Sequence, residues 1–273
     1  MTLIYLLTFF FGLCFGSFIN ALVYRLNENL PIGQARSICP KCKKQLKWFD
    51  NIPLVSFIFL RGKCRFCHEK ISWQYPIVEL TTALFFLLSF FLTMEQWNNG
   101  TMESWFYGFM VILYSWFIIS ALITIFLFDL KYSLIPDKIS LPAIALALIF
   151  QIFFWLDGEM PFLLGLKNLS FVIISAIIGG SWFAIQYFFS QGRWVGGGDI
   201  RLGILMGLIL PWPHIFTALF LSYIMGALVS APLLIFKKKT MKSEIPFGVF
   251  LVPATLLVMF WGEKIVNWYL NLF

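Results

Sequence analysis

WFYGFMVILYSWFIISALITIFLFDLKYSLIPD, residues 105–137, opens with twenty-four uncharged residues and carries Asp129 directly after them. A bilayer core of about 30 Å needs roughly 20 apolar residues of helix, so 105–128 is long enough to cross it. Comparable apolar runs cover approximately 3–23, 76–92, 141–156, 169–190, 215–236 and 245–261. A shorter run, 202–210, ends at a break marked by Pro211 and Pro213. The expected fold is therefore all-α: a polytopic membrane bundle of about eight transmembrane helices embedded in the lipid bilayer. The run 202–210 reads as a span, a half-helix or a re-entrant segment. The first run lacks a basic leader region and holds Gly16, Ser17 and Asn20, so it reads as a mature span.

The composition agrees with a membrane solvent. Of 273 residues 60% are hydrophobic and only 12% charged, which excludes an ordinary cytosolic enzyme and a nucleic-acid binder. Five cysteines, four of them in two C-x-x-C pairs, do not make a secreted disulfide framework. The 20 Lys and Arg against 13 Asp and Glu must gather in loops, because a charge at the bilayer centre costs several kcal/mol.

Those loops orient the chain. Ten basic residues, from Arg25 to Lys70, lie between the first two apolar runs, while the next loop, with Glu95 and Glu103, has none. The positive-inside rule makes the first loop cytoplasmic. With strict alternation, Lys131, Lys138, Arg193, Arg201 and the Lys237, Lys238, Lys239 and Lys242 group also fall inside. Eighteen of twenty basic residues then face the cytoplasm and only Lys167 and Lys264 lie outside, provided that 202–236 crosses twice. Eight crossings and two external termini follow. The expected domains are a first transmembrane helix at 1–24, a cytoplasmic domain at 25–75 and a transmembrane core at 76–273.

The cytoplasmic domain carries Cys39-Pro-Lys-Cys42 and Cys64-Arg-Phe-Cys67. Each pair presents two thiolates from one tight turn, and two pairs complete a tetrahedral shell for structural Zn²⁺. The basic neighbours Lys41, Lys43, Lys44, Lys63 and Arg65 are expected to lower the thiol pKa values. A redox dithiol is the alternative, but so small a loop has too little core to fold unaided. His68 reads as an exposed neighbour of the shell, and Cys14, alone in the first span, as a packing residue.

Two further acids stand at the same membrane face. Asp129 ends its span, and Asp199 follows Gly196, Gly197 and Gly198 at the start of the next apolar run. Ionisable groups at a membrane edge are functional candidates. Two close carboxylates share a proton, so that one acts as general acid while the other activates water, the chemistry of an aspartic protease. The three glycines would let a substrate backbone approach and permit positive φ. Alternatively Asp129 and Asp137 are interface residues or helix caps and the glycines merely turn the chain, a reading that suits Asp137, which follows Pro136 and precedes an apolar span.

The motifs Gly16-Ser-Phe-Ile-Asn20, Arg36-Ser-Ile-Cys-Pro-Lys-Cys42, Trp48-Phe-Asp-Asn-Ile-Pro53, Leu60-Arg-Gly-Lys-Cys-Arg-Phe-Cys67 and Ile71-Ser-Trp-Gln-Tyr-Pro-Ile-Val-Glu79 resemble the bacterial type IV prepilin peptidases, which are also prepilin N-methyltransferases. The resemblance extends over nearly the whole chain and includes Pro246-Phe-Gly248. It maps the catalytic aspartates to Asp129, ahead of Leu-Ile-Pro-Asp137, and to Asp199 of the Gly-x-Gly-Asp motif, with Gly196, Gly197 and Gly198 beside the substrate. Trp194 stands where many members have glycine, and Arg201 where they have lysine, a change in geometry but not in charge.

The resemblance implies cleavage of a short basic leader from pilin or pseudopilin precursors at the cytoplasmic face of the bacterial inner membrane. It further implies N-methylation of the new amino terminus with S-adenosylmethionine. The chain holds no Gly-rich nucleotide fingerprint that would show the cofactor independently. Glu79 and Asp50 are the acids nearest in sequence to a role in attracting the leader. The rival readings are an ion-coupled transporter using the aspartates and a membrane adaptor built on the zinc loop. The first expects midplane acids and an inverted repeat; the second leaves the glycine-aspartate run unexplained.

Overall fold

The computed structural model describes residues 2–33, 37–98, 105–157, 169–236 and 246–272. Arg36, Glu103, Lys167 and the Lys237–Lys242 group of the charge arithmetic lie outside these residues. Among the described residues the elements are helical: α1 (Thr2–Asn27), a short 3₁₀ turn (Trp48–Asn51), α2 (Val55–Phe59), α3 (Gln74–Asn98), α4 (Trp105–Tyr132), α5 (Asp137–Asp157), α6 (Leu169–Ser190), α7 (Gly197–Ile209), α8 (His214–Ile235) and α9 (Gly248–Leu270). Seven of these, all but α2 and α7, are long and apolar enough to cross a membrane. In hydrocarbon every backbone polar group must be satisfied within its own segment, which a helix does and an open strand does not.

The chain forms two compact units. The first comprises residues 1–99 with 115–124, the second 100–114 with 125–273, so that α4 contributes to both. In the first unit α1 and α3 pack backbone to backbone. A Cβ added at Gly12 would lie 2.5 Å from Cα of Ala83, and one at Gly16 would lie 2.5 Å from Cα of Glu79. The four-residue step on α1 meets a four-residue step on α3 in reverse order, so the helices are antiparallel and joined by a small-residue stripe. Lipid tails are as apolar as Leu, so close packing of this kind holds membrane helices together. Trp116 stacks on Phe86 at 4.9 Å and donates its indole N–H to Ser89 Oγ at 3.1 Å. Cys14 is not a packing residue: it lies exposed on α1, because the helix buries its Gly12–Gly16 face.

In the second unit the run expected at 202–210 is a longer helix that begins at Gly197, which puts Asp199 in its first turn. At 13 residues α7 reaches only about 20 Å. It runs antiparallel to α6, with Gly203 against Gly179 and Gly207 against Ser175. Leu208 near its far end accepts a hydrogen bond from Gln151, well along α5, at 2.9 Å. The chain then turns, the Trp212 amide donating to Ser175 Oγ at 2.7 Å. The α8 helix returns antiparallel to α9, with His214 beside Gly262 and Gly226 beside Phe247 and Phe250. Within the second unit the short α7 and the returning α8 bring the start of α9 back to the end where α7 begins.

Candidate active site and metal centre

Three chain segments meet at that end of the second unit. Asp129 sits in the last turn of α4, after the long apolar run 105–128, and it is buried. Its carboxylate faces the backbone amides of Gly248 and Val249 at the start of α9. Those amides have no partner within their own helix, and the dipole of the helix start favours an anion there. Asp129 Oδ2 has no hydrogen-bond partner among the described residues. Gly248 is tight against it: a Cβ there would lie 2.6 Å from that oxygen.

Asp199 is buried in the first turn of α7, and its carboxylate reaches back to accept the Gly196 amide at 3.0 Å. This is half of a capping box, so the acid that closes the helix start is the same one that the motif offers for chemistry. Asp129 and Asp199 are close enough to interact electrostatically. The segment after α4 completes the contact, since a Cβ at Gly198 would lie 2.7 Å from Cβ of Ile135.

The glycines do not take the positive φ that was open to them. None of Gly196, Gly197 and Gly198 has positive φ, a conformation that among glycines is found at Gly62 and Gly192. Gly198 is small so that Ile135 can pack on it, while Gly197 has open space around it. Asp137 is drawn away from the pair. It is the first residue of α5 and forms an ion pair with Arg201 of α7, and its side chain stays 60% exposed. The cap at this point is the Pro136 carbonyl, which accepts from Ile139 and Ser140. Val249, Gly248 and Ile135 were not singled out as site residues. The Pro-Phe-Gly motif was the available signal, but which acid it would face is not readable from a turn motif.

In the first unit the two cysteine pairs fold into the same backbone turn. Cys39 N donates to Lys44 O and Lys43 N to Cys39 O, at 3.0 and 2.9 Å; Cys64 N donates to Glu69 O and His68 N to Cys64 O, at 2.8 and 3.0 Å. Lys43 and His68, each following the second cysteine of its pair, take φ of 57° and 56°. All four thiol sulfurs, of Cys39, Cys42, Cys64 and Cys67, lie within 4.8 Å of one another. A tetrahedral ion with bonds of about 2.3 Å separates its sulfurs by roughly 3.8 Å, so a modest contraction around a metal closes the shell. His68 is exposed and supplies a backbone bond instead of a ligand. Burial pushes the Cys64 thiol up, but the amides of Cys67 and Phe66 and the thiols of Cys39 and Cys67 outweigh it and bring it down to about 7. Cys39 and Cys67 move the other way: burial pushes Cys39 up, and Cys67, although the Glu69 amide lowers it, is raised to about 11 by burial and the Cys64, Cys42 and Cys39 thiols, so the expected general lowering by basic neighbours is not seen.

Both acids considered for leader attraction already have partners. Asp50 is buried and takes Arg65 Nε and Nη2 on one oxygen at 2.9 and 2.7 Å, which ties the 3₁₀ turn to the second cysteine pair. Glu79 is buried on α3 and accepts the Leu54 amide at 2.8 Å.

Fold and site define an integral membrane protein with a pair of buried carboxylates at one end of its bundle and a four-thiol centre that could hold a metal ion. The chain belongs to the type IV leader peptidase family. The model of that family matches residues 116–231, and the bacterial peptidase A24 N-terminal domain matches residues 10–93. A prepilin leader peptidase/N-methyltransferase of Bacillus subtilis (strain 168) is 30% identical, with 97% of each chain covered. One from Vibrio cholerae is 34% identical over 77% of this chain and 79% of its own. One from Pseudomonas aeruginosa is 30% identical over 97% of this chain and 93% of its own. No solved structure matches.

Proposed function

We propose that this protein cleaves the leader peptide from type IV pilin-like precursors and methylates the amino terminus so released. The observation that carries the reading is the meeting of Asp129 and Asp199, seventy residues apart in sequence, at one buried end of the bundle. Two such carboxylates hold one proton between them. The ionised carboxylate takes a proton from water as it attacks the scissile carbonyl, and the protonated one gives its proton to the departing amine. Water is thereby added across one peptide bond. The Gly248 and Val249 amides hold the Asp129 carboxylate in place, and the open side of Gly197 leaves room for the substrate backbone. The charge distribution supports a cytoplasmic position for this end, in the inner membrane.

Cys39, Cys42, Cys64 and Cys67 would hold Zn²⁺, which supplies folding free energy to a loop too small for its own core. S-adenosylmethionine, which the family resemblance implies, would supply an electrophilic methyl group for the free amine. A transporter is disfavoured because both aspartates lie in end turns of their helices and not midway along them.

Co-expression with a pilin precursor and mass spectrometry of the mature pilin amino terminus tests both reactions. Loss of the leader together with one added methyl group is the expected result. An unprocessed precursor, with the enzyme inserted and metal-loaded, would overturn the reading.

A further inference from the structure

The unit that carries the four cysteines has a cavity of about 640 Å³ between α2, the second cysteine turn and the start of α3. One wall is apolar, formed by Phe57, Ile58, Trp73 and Ile77, with Phe57 and Trp73 in ring contact at 5.1 Å. The rim carries Arg61, Lys63 and Lys70. These three cations are exposed, form no ion pair among the described residues, and have no acid lining the cavity with them. They are held there by structure. Gly62 donates to Phe57 O at 2.9 Å to close α2, and Ile71 donates to Gly62 O at 2.7 Å, which sets Lys70 opposite Lys63 in a two-residue bridge.

The cavity does not end at the loop. Leu80 of α3 also lines it, and beyond Leu80 the residues Leu84 and Phe91 continue an exposed stripe down the same helix. Steps of three, four and seven residues keep Ile77, Leu80, Leu84 and Phe91 on one face of a helix. α3 is long and apolar enough to cross a membrane, so this face would meet lipid tails while the three cations, beside the start of the helix, would lie at headgroup level. Trp73, 70% exposed, stands between the two at the position where indole rings favour the interface.

We propose that this cavity is a binding site for one anionic phospholipid of the surrounding bilayer, its phosphate held by Arg61, Lys63 and Lys70 and one acyl chain laid along Ile77, Leu80 and Leu84. Charge complementarity and the unbroken apolar path into the bilayer select this occupant. A free anion would use the cations but not the wall, and a zwitterionic lipid would use the wall but gain little from the cations. A basic pilin leader is repelled by the rim. Such a lipid would anchor α2 and the second cysteine turn to the membrane surface.

The test is native mass spectrometry of the full-length, metal-loaded protein in detergent, titrated with dioleoyl-phosphatidylglycerol or dioleoyl-phosphatidylcholine. Each surface cation contributes about a fivefold gain in affinity for an anionic headgroup. The expected result is one phosphatidylglycerol bound at least about tenfold more tightly than phosphatidylcholine. That preference should vanish in the triple variant Arg61→Gln, Lys63→Gln, Lys70→Gln and persist in Arg61→Lys, Lys63→Arg, Lys70→Arg. Metal content, read in the same spectra, shows whether the loop stays folded. Equal affinity for the two lipids, an undiminished preference in a folded triple Gln variant, or displacement of phosphatidylglycerol by millimolar inorganic phosphate would each overturn the proposal.

Discussion

Asp129 and Asp199 sit in unlike surroundings for so similar a pair. One faces two amides at the start of α9 and keeps an oxygen without a partner among the described residues; the other closes the start of its own helix. In the proposed reaction neither can be spared. Asp129→Ala and Asp199→Ala should each lower pilin cleavage by at least about 10³-fold with insertion unchanged, within the range that proton-transfer groups supply. Asp137→Ala should retain substantial activity, since that side chain is engaged with Arg201 at the surface. An inactive Asp137→Ala with an active Asp129→Ala would reverse the assignment. Gly248 is the residue that the acid pair adds to the site. A methyl group there meets Asp129 Oδ2 at 2.6 Å, so Gly248→Ala must displace the carboxylate. Misplacement on the ångström scale costs on the order of 10²-fold in rate. In cleavage assays Gly248→Ala should fall by about that factor while keeping its metal; wild-type turnover would show that Gly248 only turns the chain.

Among the elements, α7 depends most on its neighbours, because its 13 residues are too few to be held by hydrophobic length alone. It is seated by glycines: a Cβ at Gly203 would lie 2.3 Å from the Gly179 carbonyl oxygen, and one at Gly207 would lie 2.2 Å from that of Ser175. Gly203→Val should therefore destabilise the protein by roughly 1–3 kcal/mol, the usual cost of overpacking, and lower its melting temperature in detergent. Gly197→Ala, in open space on the same helix, should leave the melting temperature within error of the wild type. Equal melting for all three proteins would mean that α7 is not seated by this contact. The cysteine turns are the other element that a partner outside the chain could hold, since their four thiols converge on one point. Purified protein should carry about one Zn²⁺ per chain. Elemental analysis of Cys39→Ser and Cys64→Ser should find it lost, and a metal-free but fully active wild type would remove zinc from the account.

On the scale of the whole molecule, the proposed function would divide its two chemistries between the two units, to both of which α4 contributes. The acid pair lies within the second unit, while the four thiols and the large polar loop lie within the first. Hydrolysis needs two carboxylates and a water; methyl transfer needs a deprotonated amine aligned with a sulfonium. One carboxylate pair does not serve both. Cys39→Ser and Cys64→Ser should thus reduce methylation at least as much as cleavage, and Asp199→Asn should abolish cleavage yet methylate a pilin supplied already cleaved. Failure of inserted, zinc-loaded Asp199→Asn to methylate that substrate would place both reactions at one site.

Residue order alone determined the long helices and both cysteine turns, for a physical reason common to them. A bilayer is a uniform solvent that each helix meets singly, so length and apolarity decide a span without reference to its neighbours. A Cys-x-x-Cys turn closes within six residues, from Cys39 to Lys44 and from Cys64 to Glu69. The apolar pattern likewise anticipated a short helix ahead of Pro211, although not that it starts at Gly197 and runs to Ile209. What the tertiary structure alone decided is which groups meet. Asp129 finds the Gly248 and Val249 amides across more than a hundred residues, Gly198 admits Ile135, and Arg201 pairs with Asp137. These contacts depend on helices approaching to within a missing methyl group, and that distance is set by the shapes of both partners together.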